Sequence, residues 1–274
     1  VRRLPLLLFL LPLLGFPAGA HEFWLLPTRF YLTPGDKINL RVFVGENFMG
    51  ERWTGKSSRL TRFVHYAATD TVDMTTAATR DDTLRTDVEF REAGTHLVSF
   101  ATNNSFIELD GAKFTAYLRE EGLDQVLAQR QQRGEADKPA RELYRRCAKT
   151  LVQVGRSQPS DQVFACVAGL PLELVPEQNP YALKPGSALT VRLLTDGQPL
   201  AGALVQVWQR SPGKKTKIFK LHTNQNGRVL FRLSQPGTYM VSSVRMSPAS
   251  DRQQADWQST WSTFTFAFAG TAGH

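Results

Sequence analysis

Five histidines and two cysteines carry most of the metal-binding chemistry available to this chain. His21 follows Ala18-Gly19-Ala20, an Ala-x-Ala ending of the kind at which an export leader is cut. A cut after Ala20 makes His21 residue one and frees its α-amine. Amine and ring Nδ1 on one residue close a chelate, and a second histidine completes a set of three nitrogens. Such a set suits Cu(II) best, then Ni(II), with cobalt possible. Its nitrogens bind only when deprotonated, so affinity falls with acidity. His96, on one strand face with Val98 and Phe100, is the favoured partner. His65, in Arg62-Phe63-Val64-His65-Tyr66, is the other choice. For both, the plain alternative is a histidine satisfied within the packing. His222 precedes a turn and His274 is the last residue, so they offer less. Glu22 and Glu46 could add oxygen donors, although no spacing selects them.

Cys147 and Cys166 are expected to form a disulfide if the chain is exported. That bond would close a loop of roughly 20 residues, worth about 3 kcal/mol by chain entropy. Two free buried thiols are the alternative.

Export itself is read from residues 1–20. Arg2-Arg3, the apolar run Leu4–Phe16 and the Ala18–Ala20 ending make a cleavable signal peptide. The run is short of the ~20 apolar residues that span a bilayer, and no later stretch is longer. The expected location is the periplasm, with no membrane span after cleavage. The formal charge is +8, with Lys and Arg scattered along the chain. This reads as a solvated surface, and without a recognition motif no nucleic-acid partner is expected. There is no Gly-x-Ser-x-Gly, no His-Glu-x-x-His and no phosphate loop, so an enzyme is not expected.

These residues must be positioned by short apolar segments punctuated by Pro and Gly, which argues for a mainly β chain. The expected units are an N-terminal β-sandwich over 21–109, a helical bridge over 110–168 and a C-terminal β-sandwich over 169–274. Ile38, Leu40, Val42 and Val44 alternate with more polar neighbours, as do Leu84, Thr86, Val88 and Phe90. Asp70 to Asp82 is polar and Thr-rich, and reads as a loop or irregular hairpin. In the bridge, Asp110 caps a helix with Phe114, Tyr117, Leu118, Leu123, Val126 and Leu127 at helical spacing. Asp137 and Pro139 open a second helix with Leu143, Cys147 and Leu151 along one face and Arg141, Arg145 and Arg146 toward solvent. Trp257 and Trp261 read as packing residues.

The two β regions share short matches. Pro34-Gly35-Asp36-Lys37-Ile38-Asn39-Leu40 aligns with Pro185-Gly186-Ser187-Ala188-Leu189-Thr190-Val191. Gly94-Thr95-His96-Leu97-Val98 aligns with Gly237-Thr238-Tyr239-Met240-Val241, which sets His96 opposite a tyrosine. The matches suggest two copies of one plan.

Several longer stretches resemble one family. They are His21-Glu22-Phe23-Trp24-Leu25, Val44-Gly45-Glu46, Ser105-Phe106-Ile107-Glu108-Leu109, Tyr117-Leu118-Arg119-Glu120-Glu121-Gly122-Leu123, Ala148-Lys149-Thr150-Leu151-Val152-Gln153-Val154-Gly155, Gly169-Leu170-Pro171-Leu172-Glu173-Leu174-Val175-Pro176 and Asn179-Pro180-Tyr181. Together they resemble DUF4198, a periplasmic family often labelled a nickel- or cobalt-uptake accessory component. The resemblance implies a pair of immunoglobulin-like or transthyretin-like β modules. With the His21 argument, it leads to an expected periplasmic protein that captures, buffers or delivers nickel, cobalt or copper for a membrane metal transporter. The alternative is a metal-free β-sandwich adhesion or scaffold module that binds a protein or glycan.

Overall fold

The computed structural model describes residues 22–156, 158 and 160–270. The expected signal peptide, His21 and His274 lie outside them. Strand makes up 50% of the structure and helix 12%, so the chain is mainly β. In chain order the N-terminal half holds β1 (Glu22–Pro27), β2 (Tyr31–Leu32), β3 (Asp36–Glu46), β4 (Met49–Arg52), β5 (Leu60–Tyr66), β6 (Thr71–Asp73), α1 (Thr75–Ala78), β7 (Asp87–Phe90), β8 (Gly94–Thr102) and β9 (Ser105–Leu109). Then come α2 (Gly111–Glu120), α3 (Asp124–Gln132) and β10 (Ala140–Val154). The C-terminal half holds β11 (Leu172–Pro176), β12 (Ala188–Thr195), β13 (Gln198–Pro199), β14 (Leu204–Arg210), β15 (Lys217–His222), β16 (Arg228–Arg232), β17 (Gly237–Pro248) and β18 (Trp257–Phe268).

One sheet runs through both halves in the order β15-β14-β17-β18-β10-β8-β5-β6. Side chains alternate along a strand, so β10 feeds two cores. Ala148, Val152 and Val154 join a core with Phe23, Leu25, Ile38, Leu40, Val88 and Phe90 from β1, β3 and β7. Cys147 and Leu151 join the other core, with Leu172, Leu174, Leu189, Val191, Val229 and Phe231 from β11, β12 and β16. The small sheet β1-β3-β4, with β7 on β3, and the small sheet β11-β12-β13, with β16 on β12, therefore cover opposite faces of the shared sheet.

Asp110 caps α2 as expected, its carboxylate accepting from Lys113 N at 2.9 Å. Gly122, at φ +64°, then turns the chain into α3. Trp257 and Trp261 pack on these helices, as expected of packing residues. The Asp70–Asp82 stretch holds β6 and the single turn α1 rather than a plain loop.

The second expected helix is instead the 15-residue strand β10. Leu143, Cys147 and Leu151 recur every four residues, and four is both about one helical turn and two strand repeats. That spacing does not separate the two periods. The expected bridge is thus α-helical only as far as Gln132, and its longest remaining element is a middle strand. β10 pairs with β18 in parallel from Glu142↔Trp257 to Thr150↔Thr265, which joins the two halves by backbone hydrogen bonds. The arginines expected on a solvated helix face lie on this strand. The Arg141 guanidinium is salt-bridged to Asp256 at 3.0 Å, and Arg146 lies over the rings of Phe23 and Tyr144.

The expected Cys147–Cys166 bond is not formed, and both residues are free thiols. Cys147 projects from β10 into the second core. Cys166 ends a single 3-10 turn, and its carbonyl accepts from Lys149 Nζ at 3.2 Å. The backbone there is held by Lys149 and Glu173, whose side chains meet at 2.7 Å and are both 1% exposed.

The internal repeat extends beyond sequence. Gly35 and Gly186 both have positive φ, at +92° and +82°, as a turn before a strand requires. Gly35 N donates to Phe90 O at 2.7 Å, and Gly186 N donates to Leu233 O at 2.8 Å. β1-β3-β7 correspond to β11-β12-β16, and β5-β8 to β14-β17.

Candidate functional site

β5 and β8 run antiparallel with His65 opposite Val98. His96 is two residues before Val98 on the same face, so it is the diagonal neighbour of His65, within reach of a ring. The two rings stack with centroids 5.0 Å apart, and both meet the edge or face of Phe90 from β7. The structure therefore brings together two of the three expected ligands.

Their hydrogen bonds fix the tautomers. His96 Nε2 lies 2.9 Å from Glu92 O. A carbonyl only accepts, so His96 Nε2 carries the proton and its Nδ1 is an acceptor. His65 Nε2, 2.8 Å from that Nδ1, must then donate. Both His96 nitrogens are spent, and the lone pair left over is on His65 Nδ1. Burial, reinforced by His96, lowers His65 to a pKa of about 4. Burial also lowers His96. Both rings are neutral at pH 7, the form that ligates.

His65 and His96 line a cavity of about 230 Å³ with Asp70, Val72, Met74, Val88, Glu89, Arg91 and Glu92. Arg91 is paired with Glu89 at 3.0 Å. Thr69 donates to the Glu92 carboxylate. Asp70 and Glu92 are the oxygen donors nearest in role to a ligand set. Neither was selected by sequence spacing, although Glu92 stands four residues before His96. The corner is tied down from below: Asp161 accepts from Thr95 N, from Thr95 Oγ1 at 2.7 Å and from Val163 N at 3.1 Å. In chemical terms the cavity is lined by two neutral imidazoles and by carboxylate residues. Among the described residues no three His, Cys, Asp or Glu are gathered closely enough to hold an ion as they stand.

His21 lies outside the described residues. The described chain starts at Glu22, the first residue of β1. Glu22 pairs with Gly45 on β3, and Phe90, under the histidines, pairs with Asp36. Those positions are nine residues apart, about 30 Å at a rise of ~3.3 Å. β10 gives an independent check. Arg146 covers the Phe23 ring, while His96 pairs with Val152, six residues further on, about 20 Å away. The start of β1 and the histidine pair therefore lie well apart along the sheet, and the expected chelate of His21 with His96 or His65 falls on a residue outside the described ones.

The end of β1 has its own electrostatics. Glu22 is 5% exposed, and burial, with Glu121 next in effect, raises its carboxyl to a pKa of about 8. Burial likewise raises Glu121 to about 7, while Gln206 Nε2 donates to its Oε2 at 3.1 Å. Of the other expected residues, His222 is exposed at the end of β15.

The family model described as a domain of unknown function, DUF4198, matches residues 18–247. No curated protein matches. Among solved structures, the D0-D1 domain of Intimin is 12% identical at a TM-score of 0.22, covering 90% of this chain and 97% of that one. Three N-terminal domains of the outer capsid protein Hoc of bacteriophage RB49 are 9% identical at 0.23, covering 92% and 71%. Scores this low carry no functional argument.

Proposed function

This chain belongs to the DUF4198 family, whose function is unknown, and from its own residues we propose a transition-metal-binding protein that captures, buffers or delivers its ion. The site is the His65 cavity. The observation that carries it is the His65–His96 hydrogen bond, which leaves a neutral lone pair at Nδ1 of His65, a ring that lines one cavity with Asp70 and Glu92. One imidazole with carboxylates and water suits Cu(II) above Ni(II), with cobalt also accommodated. Asp70 or Glu92 must swing onto the ion, so binding is a reversible exchange of water for side chain rather than a turnover. His96 holds His65 by its other nitrogen, the usual outer-shell role. Export to the periplasm and hand-over to a membrane transporter belong to this reading, supported by the basic-apolar-small pattern of residues 1–20. So does the assignment of the two repeats as immunoglobulin-like or transthyretin-like modules.

A metal-free scaffold that binds a protein or glycan is the second reading. It is favoured by the lack of three assembled donors among the described residues. Calorimetric titration with Cu(II) and Ni(II) separates the two. The metal reading expects one ion per chain for the wild type and loss of binding in His65→Val. No binding by the wild type would leave the scaffold reading.

A further inference from the structure

The surplus charge of the chain has one address. Residues 197–250 contain eight Lys and Arg and no Asp or Glu. The other 220 residues carry the remaining 25 Lys and Arg (33 − 8) against 25 Asp and Glu, so they are neutral. Within the basic stretch, Arg228 is paired with Glu177 at 2.8 Å and Arg245 with Asp196 at 3.5 Å. Lys214, Lys215, Lys217 and Lys220 are exposed on the β14–β15 hairpin. Lys214 donates to Gln235 and Lys220 to the Glu120 carbonyl, both uncharged acceptors.

β15 ends the long sheet, with β14 on one side only. It also shows two apolar side chains, Ile218 at 40% and Phe219 at 43% exposure. Ile218 lies opposite Trp208 and Phe219 opposite Val207, so they leave opposite faces of the ribbon. β15 is thus an exposed edge strand, against the buried β14, with an apolar pair at its middle and lysines on both flanks.

We propose that the β14–β15 hairpin is a docking surface for an anionic lipid bilayer. Lysine stems lie along apolar surface while their ammonium groups reach phosphates, and Phe219 and Ile218 enter the headgroup layer. Lysines on a free edge disfavour a second β-strand, which makes a protein partner added by strand pairing the weaker fit. Arg228 and Arg245 of the same stretch are already paired with carboxylates, so the four lysines of the hairpin hold its densest unpaired charge.

Co-sedimentation with vesicles tests this, using wild type and variants that share one N-terminus. The wild type should bind phosphatidylcholine vesicles containing phosphatidylglycerol, should bind pure phosphatidylcholine poorly, and should release as salt is raised. The triple variant Lys214→Glu, Lys215→Glu, Lys217→Glu should bind at least ~10-fold more weakly, and Phe219→Ser should bind more weakly at unchanged charge. Unchanged thermal melting shows that the variants fold. Equal binding to both vesicle types, or undiminished binding by the triple variant, overturns the proposal. So does a single-stranded oligonucleotide binding as tightly as the vesicles with Phe219→Ser unaffected, which would mark a general polyanion surface.

Discussion

His96 and Tyr239 occupy the same place in the two halves of the chain. Each is the third residue of a Gly-Thr-x strand start. Each donates to the carbonyl four residues earlier: His96 Nε2 to Glu92 O at 2.9 Å, and Tyr239 Oη to Gln235 O at 2.7 Å. The corner bond is therefore a feature of the repeat. What is particular to the first half is His65, whose counterpart by register is Val207, since His65 faces Val98 and Val207 faces Val241.

From this equivalence, His96→Tyr should preserve much of the fold, because the tyrosine restores the corner bond. His96→Ala should cost about 2–4 kcal/mol, since it strands both the Glu92 carbonyl and the His65 N–H. Urea unfolding of the two variants checks the order. A tyrosine variant no more stable than the alanine variant would break the equivalence.

Glu22 gives the protein a pH dependence. Its pKa rises from 4.5 unfolded to about 8 folded. A group raised in this way favours the fold fully below the unfolded value, and that contribution is lost as pH climbs through the folded value. Glu121 and Glu142, both raised to about 7, act in the same direction. Glu22→Gln removes one titration, so its melting temperature should gain on the wild type steadily from about pH 5 to about pH 8. Parallel curves across that range would contradict the burial of this carboxyl.

The Lys149–Glu173 pair should break asymmetrically. Glu173 also accepts from the backbone N–H groups of Ala168, Gly169 and Leu170, at 2.6, 2.9 and 3.1 Å. Removing it leaves a buried ammonium and three unpaired donors, so Glu173→Ala should cost about 3–5 kcal/mol or more. Lys149→Met leaves the carboxylate with its three donors and should cost less. Denaturant titration ranks them.

The thiols should be countable. Burial holds Cys147 up to a pKa of about 11, and Cys166 is only half buried. Maleimide should modify Cys166 first in the native protein, and both after unfolding. No label on either cysteine after unfolding without reductant would restore the disulfide.

Much of the fold was legible, because half-buried strands such as β3 alternate clearly and turns such as Pro34-Gly35 are chemically marked. β10 was not, since a four-residue spacing serves both periods and Arg141, Leu143 and Ala148 are good helix formers. The repeat, and with it the match of His96 to Tyr239, could be read from two glycine-led motifs. The contact of His65 with His96 could not, because it spans 31 residues and depends on strand register. The charge asymmetry escapes notice when bases alone are considered, since they are scattered; it lies in where acids are missing.

The central claim is that the ion sits at His65 and not at the start of the chain. Its most direct test is one copper titration of three proteins: wild type, His65→Val, and a form with one alanine inserted between Ala20 and His21. The insertion moves any terminal amine off His21 and destroys the chelate, yet leaves the His65 cavity untouched. The account predicts that the inserted form binds as the wild type does, while His65→Val loses at least ~10-fold, about 1.4 kcal/mol. Loss of binding in the inserted form, with His65→Val unaffected, would contradict it.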